Sequence, residues 1–92
     1  MIESIRHRGL RRLYQSDDSR GVFQEHLEKL RDILARLDAA TMIEDMDLPG
    51  FRLHKLDGDR RGFWAVTVRA NWRVIFRFSE GVATEVDYVD NH

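Results

Sequence analysis

The sequence of 92 residues contains no cysteine, only one proline and no long apolar run. Without cysteine, the chain has no disulfide framework, no thiolate nucleophile and no cysteine-based zinc site. No apolar run approaches the roughly 20 residues of a membrane-spanning helix, and no apolar segment follows the basic N-terminus as in a secretion signal. We therefore expect a cytoplasmic protein without a membrane partner.

The residues that are present, 42% hydrophobic and 34% charged, are typical of a folded domain. This length allows one modest core, so we predict a single domain over residues 1–92. The net charge of −1 conceals a segregation of charge, because residues 51–78 carry seven basic and two acidic side chains while residues 15–50 carry four basic and nine acidic ones. The basic stretch could bind a polyanion although the whole chain is nearly neutral.

Hydrophobic periodicity predicts an α+β fold with two N-terminal helices. Apolar residues from Phe23 to Leu37 recur every three or four positions, which indicates the longer helix. Residues 10–15 have the spacing of a short helix, and residues 2–6 alternate as a short first strand. Alternation in four later segments predicts an antiparallel meander with the helices on one face. These segments are 51–56, 63–69, 72–78 and 82–89.

The predicted hairpin over residues 63–78 has two different faces. Trp72, Val74 and Phe76 share one face with Phe78, whereas Arg73 and Arg77 point to the other. The two tryptophans, the second being Trp64, are predicted to lie in the core. The turn between the arms favours a positive φ at Asn71, and Glu80-Gly81 is predicted to form the next turn.

Histidines and arginines are the candidate catalytic groups. His54 and His92 would meet near the cationic face if the last strand pairs with the hairpin, while His26 is predicted to be solvent-exposed on a helix. Two histidines without a thiol suit acid–base chemistry near neutral pH, such as RNA cleavage by the neighbouring 2′-hydroxyl, which needs no metal. Arg73 and Arg77 would hold phosphate. Contact with the RNA backbone would extend to Arg52, Lys55, Arg60 and Arg61.

Simpler interpretations of the same residues stay open. Arg73 and Arg77 would equally well form cross-strand ion pairs with Glu85 and Asp87. The sequence Asp57-Gly58-Asp59 is a turn rather than a metal site. Composition and spacing therefore reach an α+β domain with a basic face, and RNA as one possible ligand.

The motif between Leu53 and Phe76 resembles the HigB toxins of bacterial toxin–antitoxin modules, within the RelE-like superfamily. The matching positions are Leu53-His54, Leu56, Gly58-Asp59-Arg60, Gly62, Trp64, Val66, Val68, Trp72-Arg73-Val74 and Phe76. Residues 1–4, 9–10, 37–41 and 88–92 are similar too, so the resemblance covers nearly the whole chain.

The resemblance implies a RelE-like fold, in which an antiparallel sheet of about four or five strands packs against two helices. It implies a metal-independent, cofactor-free mRNA endonuclease that enters the A site of the 70S ribosome and cuts translated mRNA. It also implies a HigA-like helix-turn-helix antitoxin, through which alone the toxin would contact operator DNA. By position, the family's groups for cleavage or mRNA positioning are His54, Arg73, Asp90 and His92.

Two positions depart from the family pattern. Asp57 stands where a lysine is usual, and we expect Lys55, on the same side of a strand, to supply the missing cation as a further catalytic group. Asn91 stands where a tyrosine is usual, which would weaken stacking on a base at this RNA-binding position. These departures leave an alternative open, in which the toxin fold occupies ribosomes or its antitoxin without cleaving RNA. A nuclease that needs no ribosome is a third interpretation.

Overall fold

Two helices, α1 (Arg8–Ser16) and α2 (Leu27–Ala39), cover one face of an antiparallel sheet in the computed structural model, which describes residues 1–90. His7 caps α1, because its Nδ1 accepts the Leu10 N–H at 3.0 Å. A 3₁₀ turn, Gln24–His26, precedes α2, and another, Ile43–Met46, follows it. Both predicted helices are confirmed, although α2 begins four residues after Phe23.

The sheet has four strands in sequential order, and each pair of neighbours is antiparallel. They are β1 (His54–Lys55), β2 (Trp64–Arg69), β3 (Trp72–Ser79) and β4 (Val82–Asp90). The predicted α+β meander is therefore confirmed. The strand predicted over residues 51–56 shrinks to two residues, because Arg52 adopts a left-handed φ of 50° that interrupts extended backbone.

The two hairpin turns differ from each other. Glu80 and Gly81 both have positive φ, as the predicted tight turn between β3 and β4 requires. Between β2 and β3, Ala70 has a φ of 51° and Asn71 does not have a positive φ, so that detail of the prediction was wrong. Arg69 pairs with Trp72 across this two-residue turn, and a positive φ at the first central residue is the pattern of a type II′ turn.

The N-terminal segment lies along the outer edge of β4. Ile2 pairs with Ala83 and Ile5 pairs with Val86, both in parallel orientation. The amino group of Met1 donates to the Gly81 carbonyl at 2.9 Å. The predicted first strand is thus two isolated bridges rather than a continuous ladder, and it covers an edge that would otherwise be open.

The sheet is apolar on both faces, to different extents. The main core lies between the sheet and the helices, and Trp64 and Trp72 pack against it half-buried, as predicted. Its largest fully buried side chains are Leu10, Leu30, Ile33, Leu37, Met46, Val66, Val74, Phe76 and Val86. On the other face, which we call the open face, Phe63, Ala65 and Ile75 form a small cluster. The charged side chains of the open face surround this buried apolar cluster.

Candidate active site

The strand register brings two of the predicted site residues, His54 and Arg73, onto the open face in two neighbouring rows. His54 pairs with Ala65, Ala65 with Ile75, and Ile75 with Asp87. In the next row, Thr67 pairs with Arg73 and Arg73 with Val89. Paired residues project to the same side of a sheet, so His54 and Arg73 share the open face. Strand spacing and rise place their Cα atoms about 12 Å apart, within reach of a phosphate between them.

His54 is exposed, and one of its ring nitrogens is already engaged. Its Nδ1 lies 2.8 Å from the Arg52 carbonyl oxygen. A carbonyl oxygen can only accept, so Nδ1 carries the hydrogen. In the neutral ring Nε2 is then the unprotonated nitrogen, and it is available to take a proton from a substrate.

Arg73 is half-buried and is tied to the β2–β3 turn. Its Nη1 donates to the carbonyl oxygens of Ala70 at 2.7 Å and Trp72 at 3.2 Å. Within residues 1–90, its Nε and the Oγ1 of its cross-strand neighbour Thr67 are buried without a hydrogen-bond partner. The arginine is therefore fixed in position by the turn while part of its hydrogen-bonding capacity is unused.

Arg77 lies on the same face of β3 as Arg73, but its environment differs from that of Arg73. Its guanidinium carbon lies 4.4 Å from the centre of the Phe63 ring, and its Nε lies 2.9 Å from Glu85. The cross-strand ion pair left open by the sequence is thus present for Arg77. Arg73, by contrast, faces Val89 rather than an acidic residue.

Lys55 does not join His54 on the open face, contrary to expectation. It pairs with Trp64, and its Nζ lies 5.1 Å from the centre of that ring on the helix side of the sheet. Asp57 belongs to the turn before the Gly58–Arg60 3₁₀ segment rather than to the strand. Residues 55 and 57 are therefore not alternate positions of one strand, and their side chains need not point to the same face.

The other predicted RNA contacts lie around the margin of the open face. Arg52 is exposed just before β1, and Arg60 and Arg61 lie on the turn that leads to β2. Arg61, Lys55 and Trp64 also line a cleft of about 710 Å³ beside the sheet edge. These side chains could extend an RNA-binding surface beyond the two rows that hold His54 and Arg73.

The C-terminal part of the predicted site is described only to Asp90. Asp90 pairs with Trp72, so by the same rule its side chain projects to the helix side of the sheet, opposite to Arg73 and Val89. The register therefore does not bring Asp90 onto the open face with His54 and Arg73. It is exposed at the end of β4. The predicted residues Asn91 and His92 lie outside the described residues.

His26 was predicted to be exposed but is buried, with 4% of its surface accessible. It falls in the 3₁₀ turn before α2 rather than on the outer side of a helix, and its Nδ1 contacts the Tyr88 hydroxyl. Burial raises the pKa of that hydroxyl. Trp72 and Phe23 pack around the pair. The available sequence signal was spacing, because His26 precedes the buried residues Leu30 and Ile33 by four and seven positions.

Residues 1–90 contain neither a cluster of metal ligands nor a membrane-spanning helix. No three His, Asp or Glu side chains are grouped as metal ligands would be. Neither helix is long and apolar enough to cross a bilayer.

Comparison with known proteins gives a consistent family. A family model described as the RelE-like toxin of the type II toxin–antitoxin system HigB matches residues 3–92. Endoribonuclease HigB of Proteus vulgaris is 40% identical over 92 residues, which cover the whole of both chains. Toxin HigB-1 of Vibrio cholerae is 30% identical over 94 residues, which cover all of this chain and 98% of that one.

Proposed function

Because this chain belongs to the RelE-like HigB toxins of type II toxin–antitoxin systems, we propose that it cleaves translated mRNA in the ribosomal A site by metal-independent acid–base catalysis. The coarser activity is that of the family: the chain is an endoribonuclease toxin with an antitoxin partner. The observation that carries the finer proposal is the register that puts His54 and Arg73 on one face.

His54 is the proposed general base. Its Nε2 removes the proton of a ribose 2′-hydroxyl, and the 2′-oxygen attacks the adjacent phosphorus. The bond from phosphorus to the 5′-oxygen breaks, which leaves a 2′,3′-cyclic phosphate on one fragment. The hydrogen bond from Nδ1 to the Arg52 carbonyl supports this role, because it fixes the tautomer that has Nε2 free.

Arg73 is the proposed electrostatic group. Negative charge grows on the phosphoryl oxygens as the 2′-oxygen attacks, and a guanidinium held in advance stabilises that charge without reorganising. The hydrogen bonds from Nη1 to two turn carbonyls supply this fixed orientation.

The roles of residues 90–92 rest on the family resemblance, and those of the remaining arginines rest on their charge. His92 protonates the departing 5′-oxygen, Asp90 orients His92, and Asn91 contacts the RNA. Arg52, Arg60 and Arg61 bind the backbone outside the scissile step. A HigA-like antitoxin, the ribosome and mRNA are the proposed partners, and the cytoplasm is the proposed location.

The test is cleavage of a translated mRNA in a purified translation system by the wild type and by His54→Ala. We expect the variant to bind ribosomes like the wild type and to cleave about 10²–10⁴-fold more slowly, as for loss of a general base. A wild type that binds ribosomes and leaves the mRNA intact would contradict catalysis and support the binding-only alternative. Cleavage of naked RNA at the same rate would contradict ribosome dependence.

A further inference from the structure

Glu85 interrupts β4 in a conformation that side-chain-bearing residues rarely adopt. Its φ is 52°, and the register shifts there, because Ile75 pairs with Asp87 while Arg77 pairs with Thr84. Two residues of β4 thus oppose one residue of β3, which defines a β-bulge. The N–H of Glu85 leaves the ladder and donates instead to Ser4 Oγ at 2.8 Å.

The bulge directs the Glu85 carboxylate at two arginines. One carboxylate oxygen lies 2.9 Å from Arg77 Nε, and the other lies 3.7 Å from Arg6. Phe63 supports the flat side of the same Arg77 guanidinium. Gly62 borders its edge so closely that a Cβ at that position would lie 2.5 Å from Arg77 Nη1. Arg77 is therefore confined from three directions.

Stability alone does not account for a glutamate at this position. The Arg77 and Glu85 side chains are 45% and 40% exposed, and ion pairs with that exposure contribute little to folding. A glycine would adopt the left-handed conformation without the strain that Glu85 carries. The surrounding contacts maintain this backbone strain, and no gain in stability offsets it. Such strain indicates a role in function.

We propose that Glu85 is a positioning residue, which holds Arg77 flat on Phe63 so that Arg77 binds an RNA phosphate next to the catalytic centre. This inference rests on the proposed function. Engaging the guanidinium through Nε leaves the two terminal nitrogens, whose fork matches two phosphate oxygens. Arg77 lies four residues from Arg73 in the same strand, about 13 Å away, so it takes a phosphate other than the scissile one.

The decisive variant is Glu85→Gly, which removes the carboxylate and the strain together. We expect a thermal midpoint equal to or above that of the wild type. We also expect the KM for programmed ribosomes to rise roughly tenfold, as for loss of a charge-assisted contact, with little change in kcat. Glu85→Gln, which still offers Arg77 an acceptor, should recover most of the wild-type KM.

A double variant separates positioning from a general effect on the sheet. If Glu85 acts through Arg77, adding Glu85→Gly to Arg77→Ala should raise the KM no further. Additive effects would overturn the inference, as would a Glu85→Gly variant whose KM equals or falls below that of the wild type. A wild type that cleaves no mRNA would overturn the proposed function and, with it, the inference. An active wild type with unaffected Glu85 variants would overturn the inference alone.

Discussion

Neighbouring residues His54 and Lys55 leave β1 on opposite faces, and this separates two cations that the sequence places together. Lys55 lies over the Trp64 ring, where the attraction between an ammonium and an aromatic face is about 0.5–1 kcal/mol at exposed sites. Arg73, although two strands away, shares the face of His54. Distance along the chain is therefore a poor guide to which cation shares the face of His54.

We predict that Lys55→Ala lowers the cleavage rate by less than about threefold, whereas Arg73→Ala lowers it by about 10²–10³, the usual effect of removing a group that stabilises developing charge. Single-turnover cleavage on programmed ribosomes measures both. Arg12→Ala, which removes an exposed cation on α1 and leaves the sheet unchanged, is the control. A loss at Lys55 as large as that at Arg73 would restore Lys55 as the substitute for the missing lysine at position 57.

At the scale of elements, α1 crosses the segment before α2 at an unusually short distance. A Cβ at Gly9 would lie 2.1 Å from the carbonyl oxygen of Gly21, and one at Gly21 would lie 2.5 Å from Gly9 Cα. Backbone atoms cannot yield as a flexible side chain can. Two glycines thus permit the helices to approach and close the main core.

We predict that Gly9→Ala destabilises the protein by about 1–3 kcal/mol through overpacking, although alanine is the better helix former. For a domain of this size the thermal midpoint should fall by roughly 4–8 °C per kcal/mol. Gly58→Ala is the control, because it meets no atom within 4 Å and tests only the cost of its positive φ. If Gly9→Ala raised the midpoint, helix propensity would outweigh the clash.

The local sequence pattern was sufficient to predict both helices and the strands β2, β3 and β4. Period-two alternation in β2 and β3 correctly placed Trp72, Val74 and Phe76 in the core and Arg73 and Arg77 outside. The departures occur where the backbone adopts φ values that the residue type does not signal, as at Arg52, Ala70 and Glu85. Those conformations are imposed by contacts from distant parts of the chain, which no local window contains.

The candidate site was predictable in part for the same reason. Alternation put Arg73 and Arg77 on one face, but whether His54 joined them depended on the register of β1 against β2. The expectation that Lys55 replaces a lysine at position 57 assumed one strand through both residues, whereas β1 ends at Lys55 and Asp57 lies in a turn. The Glu85 bulge depends on Ser4, which lies 81 positions away. His26 is buried because it continues the apolar side of α2, four residues before Leu30 and seven before Ile33.

At the scale of the molecule, Asp38 joins the N-terminal segment to the helical layer. From the end of α2, its Oδ1 accepts the Ile2 N–H and the Tyr14 hydroxyl, both at 2.9 Å. The hydrogen bond from Ile2 is the main reason that the pKa of this carboxyl is below its usual value. The carboxylate form therefore stabilises the fold.

We predict that Asp38→Ala costs about 1 kcal/mol at pH 7, the usual net value of such hydrogen bonds. Because the folded pKa is depressed, this contribution is present above the unfolded pKa of about 3.9 and is lost as the pH falls through the folded value. The difference in thermal midpoint between wild type and variant should therefore narrow below about pH 4. Thermal unfolding at several pH values measures it, and a constant difference would contradict a role for the charge.

The pairing of residues 2–5 with β4 also determines when, during synthesis of the chain, the edge of the sheet can be covered. The Met1 amino group meets a carbonyl 80 positions later in the chain. During synthesis at roughly 5–20 residues per second, the N-terminal segment emerges from the ribosome seconds before β4 does. The edge that supports the Glu85 bulge therefore closes only after β4 has emerged from the ribosome.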